Sequence, residues 1–89
     1  MSLFSPLGFQ TISIGGVIFE IAREALNGDP QYYAYLNNSG AWIIQQRTAS
    51  TGVYLYAQGN KDLTTYWATK ELLTYDEYST LSHPLPSGQ

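Results

Sequence analysis

Two short loops that end in glycine divide the middle of the chain into three runs of aromatic and β-branched residues. The runs cover residues 32–36, 41–46 and 53–57, and their composition is typical of strands. The loops are Asn38-Ser39-Gly40 and Ser50-Thr51-Gly52. A glycine in the third position can adopt positive φ and form the bulge that follows a type I turn in a hairpin. The pattern therefore predicts a three-stranded antiparallel meander over about residues 32–58.

The segment before this meander fits two structures. Gly15-Gly16 separates two apolar runs, residues 9–14 and 17–23, and suits the type I′ turn of a hairpin. Apolar and charged residues alternate in the second run, as they do in a half-buried strand. However, four residues also recur at helical spacing before Asn27-Gly28, which would end a helix well: Ile18, Ile21, Ala22 and Ala25. The hairpin is the favoured prediction, and a helix over residues 17–26 stays open as the alternative.

A short helix is predicted after the meander. Asn60 is a good N-cap, and Asp62 places an acidic side chain in the first turn. The residues that follow at helical spacing are Leu63, Tyr66, Trp67 and Lys70. The spacing predicts a helix near residues 61–70, and the apolar run at residues 72–75 predicts a further edge strand.

The predicted fold is mainly β, a small antiparallel meander of about five to six strands with one short helix. At 89 residues the chain has room for one domain, which we assign to residues 9–81. Residues 1–8 are predicted to form an extended N-terminal arm, because Leu3, Phe4 and Leu7 would suit a segment that lies on a neighbouring molecule. Residues 82–89 contain two prolines and are predicted to form an extended tail.

Charged side chains are scarce in this sequence. Four basic and seven acidic residues give a net charge of −3, and charged residues make up 12% of the chain against about 25% in a typical domain. The acidic balance argues against binding to nucleic acid by phosphate neutralisation. No apolar stretch approaches the roughly 20 residues that span a membrane, and the first residues lack the basic region of a signal peptide. We expect neither nucleic acid nor membrane as a partner, and no secretion by a signal peptide.

The sequence contains no arrangement of residues that is typical of catalysis. His83 is the sole histidine and stands before a proline in the tail, without an acid or serine pattern around it. Asp76-Glu77 is the one pair of neighbouring acids, and adjacent carboxylates point apart on a strand. With no cysteine there is no thiolate metal site. We therefore expect a protein that is not an enzyme and that uses neither a cofactor nor a metal.

The aromatic residues are the main candidates for a binding surface. If the meander packs Tyr33, Tyr35, Trp42, Tyr54 and Tyr56 on one face, that face becomes core, subunit interface or a surface for sugar rings. Gln45, Gln46, Gln58 and Asn60 supply amides beside it, so a carbohydrate-binding module is the alternative function. The full set of interface candidates is Leu3, Phe4, Leu7, Tyr33, Tyr35, Trp42, Tyr54, Tyr56 and Trp67.

Aromatic residues and glycines follow one another in a particular order over about residues 32–78: Tyr32-Tyr33-Ala34-Tyr35, Gly40-Ala41-Trp42-Ile43-Ile44, Tyr56-Ala57-Gln58-Gly59, Tyr66-Trp67 and Leu73-Thr74-Tyr75. This order resembles that of small β-rich structural proteins of tailed bacteriophages. Lys70 departs from the pattern, in which arginine is expected. The resemblance implies a non-enzymatic component of the virion, made in the host cytoplasm: a capsid cement or decoration protein, a neck part or a tail-fibre element. Its partners would be copies of itself and other virion proteins, and in the alternative of a carbohydrate-binding module the partner would be a glycan of the host surface.

Overall fold

The computed structural model describes residues 11–81, in which five antiparallel strands form one sheet. The strands follow each other in the order β1-β2-β3-β4-β5, and the sheet is a meander that curls into a half-barrel. Their bounds are β1 Thr11–Ile14, β2 Val17–Ala25, β3 Gln31–Leu36, β4 Trp42–Thr48 and β5 Val53–Gly59. The predicted mainly-β meander with one short helix is confirmed. The arm at residues 1–8 and the tail at residues 82–89 lie outside the described residues.

Glycines with positive φ make the turns of the sheet. Gly15 and Gly16 have φ angles of 60° and 81°, as both central residues of a type I′ turn require. This turn pairs β1 with β2, so the hairpin prediction is confirmed and the alternative helix over residues 17–26 is wrong. Gly40 and Gly52, with φ angles of 96° and 74°, lie in the β3–β4 and β4–β5 hairpin loops, where the sequence predicts glycines with positive φ.

Strand alternation directs the large side chains of the sheet to two opposite faces. One face, here the tyrosine face, carries a buried cluster to which all five strands contribute: Ile12, Ile14, Phe19, Tyr33, Tyr35, Ala41, Ile43 and Tyr56. The opposite face, here the helix face, carries a second cluster: Tyr32, Ala34, Trp42, Ile44 and Leu63. Because both faces are covered, β3 and the first half of β4 have consecutive buried residues that are mostly apolar, as buried strands do.

One α-helix, α1, covers the helix face and spans Leu63–Ala68. It is shorter than the helix predicted near residues 61–70, because Asn60 and Lys61 belong to the loop that leaves β5. The predicted N-cap at Asn60 is wrong. The capping position is held by Asp62, whose backbone is left-handed (φ 65°) and whose side chain makes no capping hydrogen bond. No helix within residues 11–81 has the length and apolar character needed to cross a membrane.

The edge strand predicted at residues 72–75 does not form. Leu72 ends a 3₁₀ turn, Lys70–Leu72, and the chain then bends back over the sheet. Leu73 and Tyr75 pack against the helix-face cluster, and the Tyr75 hydroxyl donates to the Lys70 carbonyl at 2.8 Å. Packing of these two side chains takes precedence over strand pairing. Within residues 72–81 the backbone therefore pairs with β5 only at the single bridge between Asp76 and Tyr56.

Residues 76–81, here the closing segment, connect the two outer strands of the sheet. At one end the Asp76 backbone pairs with Tyr56 of β5, whose ring meets the Tyr78 ring edge-on at 5.4 Å. The Tyr78 hydroxyl donates to the Ser13 carbonyl of β1 at 3.4 Å, and Leu81 packs against the tyrosine-face cluster. The segment therefore lies along the tyrosine face from β5 to β1.

The Asp29 carboxylate joins two loops at the end of the sheet opposite Trp42. It accepts the Ala49 N–H at 2.7 Å and the Ser50 N–H at 3.3 Å. Hydrogen bonding by the Ser50 side chain and by these backbone groups lowers the pKa of Asp29 below its ordinary value of 3.8, and Arg47 adds to the effect. The charged form of this carboxyl group is therefore favoured by folding.

We predict that Asp29→Asn reduces the acid sensitivity of the fold. A carboxyl group whose pKa is lowered by folding stabilises the protein above its unfolded pKa and loses that contribution as the pH falls through its folded pKa. The melting temperature of the wild type should therefore fall more steeply than that of Asp29→Asn between about pH 6 and pH 2. Thermal melts followed by circular dichroism measure this, with Glu24→Gln as a control at an exposed site on β2. Parallel curves for wild type and Asp29→Asn would contradict the prediction.

Candidate functional site

Trp42 is the residue around which the candidate site is built. It begins β4, points to the helix face and is 2% exposed. Its indole Nε1–H donates to the Lys61 carbonyl at 2.8 Å, which holds the loop between β5 and α1 against the sheet. A buried indole N–H needs such a partner, so this bond fixes both the ring and the loop.

Gly59 makes room for this tryptophan. The two residues are opposite each other in the β4–β5 register. A β-carbon on Gly59 would lie 2.6 Å from Cε2 and 2.9 Å from Nε1 of the indole, closer than carbon atoms approach in real structures. Since the φ angle of Gly59 is not positive, this glycine is required for space rather than for backbone conformation.

Tyr66 of α1 stacks on Trp42 from above the sheet. The ring centroids are 5.2 Å apart and the planes are tilted by 35°. Although Tyr66 contacts Trp42 in this way, 42% of the residue is exposed. The helix thus brings an accessible aromatic side chain to the top of a buried one.

A cleft of about 630 Å³ opens beside these two rings. It lies between the loop that leaves β5 and the segment that follows the 3₁₀ turn, and it is lined by Trp42, Ala57, Gln58, Gly59, Asn60, Lys61, Asp62, Tyr66, Leu73 and Thr74. Its volume falls in the range of small-molecule sites, about 300–1,000 Å³. Asp62, the one non-glycine residue with positive φ among residues 11–81, stands at its rim.

Most of the aromatic residues that the sequence singles out are buried. Tyr33 and Tyr35 are 0% exposed and Tyr56 is 6% exposed, all on the tyrosine face, whereas Trp42 lies on the helix face. The single aromatic face considered for sugar binding is therefore not formed, because β4 places Ile43 rather than Trp42 beside Tyr35. These four side chains belong to the core of the chain.

Tyr54 and Trp67 are half-buried and each meets a cation. The Arg47 Nε–H donates to the Tyr54 hydroxyl at 3.1 Å, and its guanidinium lies 5.9 Å from the ring centroid. The Lys70 ammonium lies 4.7 Å from the Trp67 ring. The remaining interface candidates, Leu3, Phe4 and Leu7, lie outside the described residues.

The tyrosine face also buries polar atoms. The Gln45 side chain, 0% exposed, donates to the Tyr56 hydroxyl at 3.1 Å. Burial raises the pKa of Tyr56, and the hydrogen bond with Gln45 opposes part of this rise. The Gln45 Oε1 and the Tyr33 hydroxyl belong to residues that are opposite each other in the β3–β4 register, and both atoms are buried without a hydrogen-bond partner among residues 11–81. Gln45 is thus an interior residue and not an amide at a sugar surface, as the sequence had left open.

An exposed apolar patch lies on the helix face beside β1. Ile18 is 59% exposed and Leu36 is 36% exposed. Glu20 lies opposite Leu36 in the β2–β3 register and two residues from Ile18, so the three side chains share one face. We call Ile18 and Leu36 the apolar patch, and the charged Glu20 lies beside both.

Sequence patterns identify only part of this arrangement. Gln58 and Asn60, considered as amides that bind sugar, do line the cleft. The sequence does not identify three other lining residues as binding candidates: Tyr66, Asp62 and Thr74. Tyr66 occupies a helical spacing that core residues share, and the other two belong to no motif for binding. The sequence does not predict the apolar patch, because Ile18 enters the analysis only through the helical spacing of the alternative that the structure excludes.

Known proteins offer no template for either surface. Comparisons of the chain with protein-family models, with curated proteins and with solved structures found no match. Among residues 11–81 no group of three His, Cys, Asp or Glu side chains is placed to hold a metal ion. A function for this chain has to be argued from its own cleft and patch.

We predict that Gly59→Ala destabilises the protein by about 1–3 kcal/mol, because the new β-carbon must displace the Trp42 ring. Urea denaturation followed by circular dichroism measures the change. In a Trp42→Phe background the same substitution should cost less, since phenylalanine lacks the indole atoms nearest to Gly59. Equal costs in the two backgrounds would mean that the indole does not require the glycine.

Proposed function

We propose that this protein is a non-enzymatic structural component of a bacteriophage particle that acts by noncovalent contacts with copies of itself and with other particle proteins. The proposal draws on the resemblance of residues 32–78 to small structural proteins of tailed bacteriophages. The observation that carries it is the apolar patch. Large exposed apolar side chains that adjoin one another mark contact surfaces more often than isolated ones do.

The patch adjoins the point at which the N-terminal segment joins the sheet. Thr11, the first residue described, is opposite Glu20 in the β1–β2 register. The ten residues that precede it can extend by about 33 Å, enough to reach a neighbouring molecule. The apolar patch is exposed, and apolar side chains would exclude water from it. Leu3, Phe4 and Leu7 supply such side chains. We assign the patch to the N-terminal arm of a neighbouring copy.

The size and charge of the chain favour such an exchange. A chain of 89 residues buries only about 60–65% of the surface that its unfolded form exposes, so contacts with a second copy add a large share of its stability. The described residues contain one ion pair, between Lys70 and Glu71. Few charges have to be desolvated when copies associate, and interface cores are depleted of charge.

We predict that the wild-type chain forms a homo-oligomer in solution and that Ile18→Lys shifts it to the 9.9 kDa monomer. The substitution places an ammonium group in the proposed contact. Because the site is exposed in the single chain, water can solvate this group, and the free energy of unfolding should change by no more than about 0.5 kcal/mol. Size-exclusion chromatography with light scattering, at up to about 200 µM protein, measures the mass. Deletion of residues 1–8 should produce the same shift.

Val53→Lys is the matched control. Val53 is 45% exposed and lies on the same face as Ile18, but at the opposite end of the sheet, beside the β4–β5 turn. It should leave the oligomer intact. A wild-type chain that is monomeric over the whole concentration range, or a deletion of residues 1–8 that leaves the mass and particle incorporation unchanged, would refute the proposed mode of assembly.

A further inference from the structure

The cleft beside Trp42 and Tyr66 has no part in the proposed assembly contact, which lies on β2 and β3. We propose that it is a binding site for a neutral saccharide, with Tyr66 as the ring on which a pyranose stacks and with Asn60, Asp62 and Thr74 as partners of its hydroxyl groups. This inference goes beyond the assembly role and uses none of the residues of the apolar patch.

Tyr66 has the position that stacking on a sugar requires. A pyranose presents an apolar face of C–H groups, which packs favourably on the electron-rich face of an aromatic ring. Tyr66 contacts Trp42 with part of its ring and remains 42% exposed. Trp42 is held in turn by its hydrogen bond to Lys61, so the stacking ring rests on a fixed support and little conformational entropy is lost on binding.

The polar lining complements a ring of hydroxyl groups. Each sugar hydroxyl both donates and accepts, and so do the Asn60 amide and the Thr74 hydroxyl, while Asp62 accepts only. All three residues are exposed at the cleft. The Asp62 side chain makes no capping hydrogen bond with α1, because its backbone is left-handed and not in the extended conformation from which an N-cap side chain reaches the first turn. The carboxylate is therefore available to accept hydrogen bonds from a vicinal diol.

The charges around the cleft indicate a neutral ligand. Its lining contains one cation, Lys61, and one anion, Asp62, which are adjacent in sequence and balance each other. A site for phosphate or sulfate would gather several cations, and arginine above all, which forms paired hydrogen bonds with such groups. A site for nucleic-acid bases would likewise need a basic groove. The cleft has neither, whereas its mixture of one aromatic platform with amide, hydroxyl and carboxylate groups suits an uncharged sugar.

Saturation-transfer NMR on the full chain tests this inference. The probes are D-glucose, D-galactose, L-rhamnose, N-acetylglucosamine and maltotriose, with an uncharged acetylated tetrapeptide as the competing ligand class. We expect at least one sugar to receive saturation at its ring C–H protons, with a Kd in the millimolar range that ligands of this size reach in open sites. If the tetrapeptide binds and no sugar does, the inference is overturned in favour of a peptide ligand. If none of the probes binds, it is overturned as well.

Variants assign the binding to the cleft. Tyr66→Ala should weaken the sugar by about tenfold, and Tyr66→Phe should retain the affinity because it retains the ring. Asp62→Asn keeps a residue that tolerates the left-handed backbone and should weaken binding severalfold, which tests the site even if Tyr66→Ala does not fold. Leu72→Ala is the control, since Leu72 is 82% exposed and does not line the cleft. Sugar binding that survives both Tyr66→Ala and Asp62→Asn would place it elsewhere and overturn the inference.

Failure of this inference and failure of the assembly proposal can be told apart. Ile18→Lys is expected to lower the mass in solution from that of the homo-oligomer to that of the monomer. It should leave the affinity for sugar as in the wild type. Leu72→Ala, at an exposed residue outside the cleft, is expected to leave both unchanged. If Ile18→Lys lost sugar binding, the site would depend on the oligomer. This result would contradict a binding site formed by the cleft of a single chain.

Discussion

The contact between the Trp42 indole and its three neighbours organises the helix face of this protein. Gly59 offers the indole a surface without a side chain, Lys61 accepts its N–H, and Tyr66 stacks on it from α1. These neighbours belong to β5, to the loop that follows it and to α1. The Trp42 ring therefore fixes where the chain leaves the sheet and where the helix packs against it. The short helix, only six residues long, is too short to be stable by itself and depends on this packing.

Burial of both faces explains how so small a chain accommodates so many tyrosines. The tyrosine face is lined by rings from β3 and β5 and by the closing segment, while the helix face is covered by α1, Leu73 and Tyr75. Hydroxyl groups at the rims bond to neighbours, as Tyr78 does to Ser13 and Tyr75 does to Lys70. Burial also raises the pKa of Tyr75 above its ordinary value, which favours the protonated phenol that donates to the Lys70 carbonyl.

The cleft and the apolar patch lie at the same end of the sheet, where the β1–β2 and β3–β4 turns are found. Of the aromatic residues, only Trp42 and Tyr66 line the cleft and none belongs to the apolar patch, since most of the others build the core. The surfaces arise instead where the cover of the helix face stops. Leu36 and Trp42 are opposite each other in register, one exposed and the other buried, and the boundary between them is the edge of the region that α1 covers.

The sequence by itself determined the local structure of this protein, because turn chemistry and strand composition act over a few residues. Gly15-Gly16, Gly40 and Gly52 place three of the four hairpins of the meander, and the strands that flank them follow. Only the tertiary structure decided which rings are buried. The assignment of Trp42 and Tyr35 to opposite faces depends on the β3–β4 register, and the exposure of Tyr66 and Ile18 depends on where α1 comes to lie. The register and the position of α1 are both set by packing between residues that are distant in sequence. The type and spacing of residues do not predict that packing.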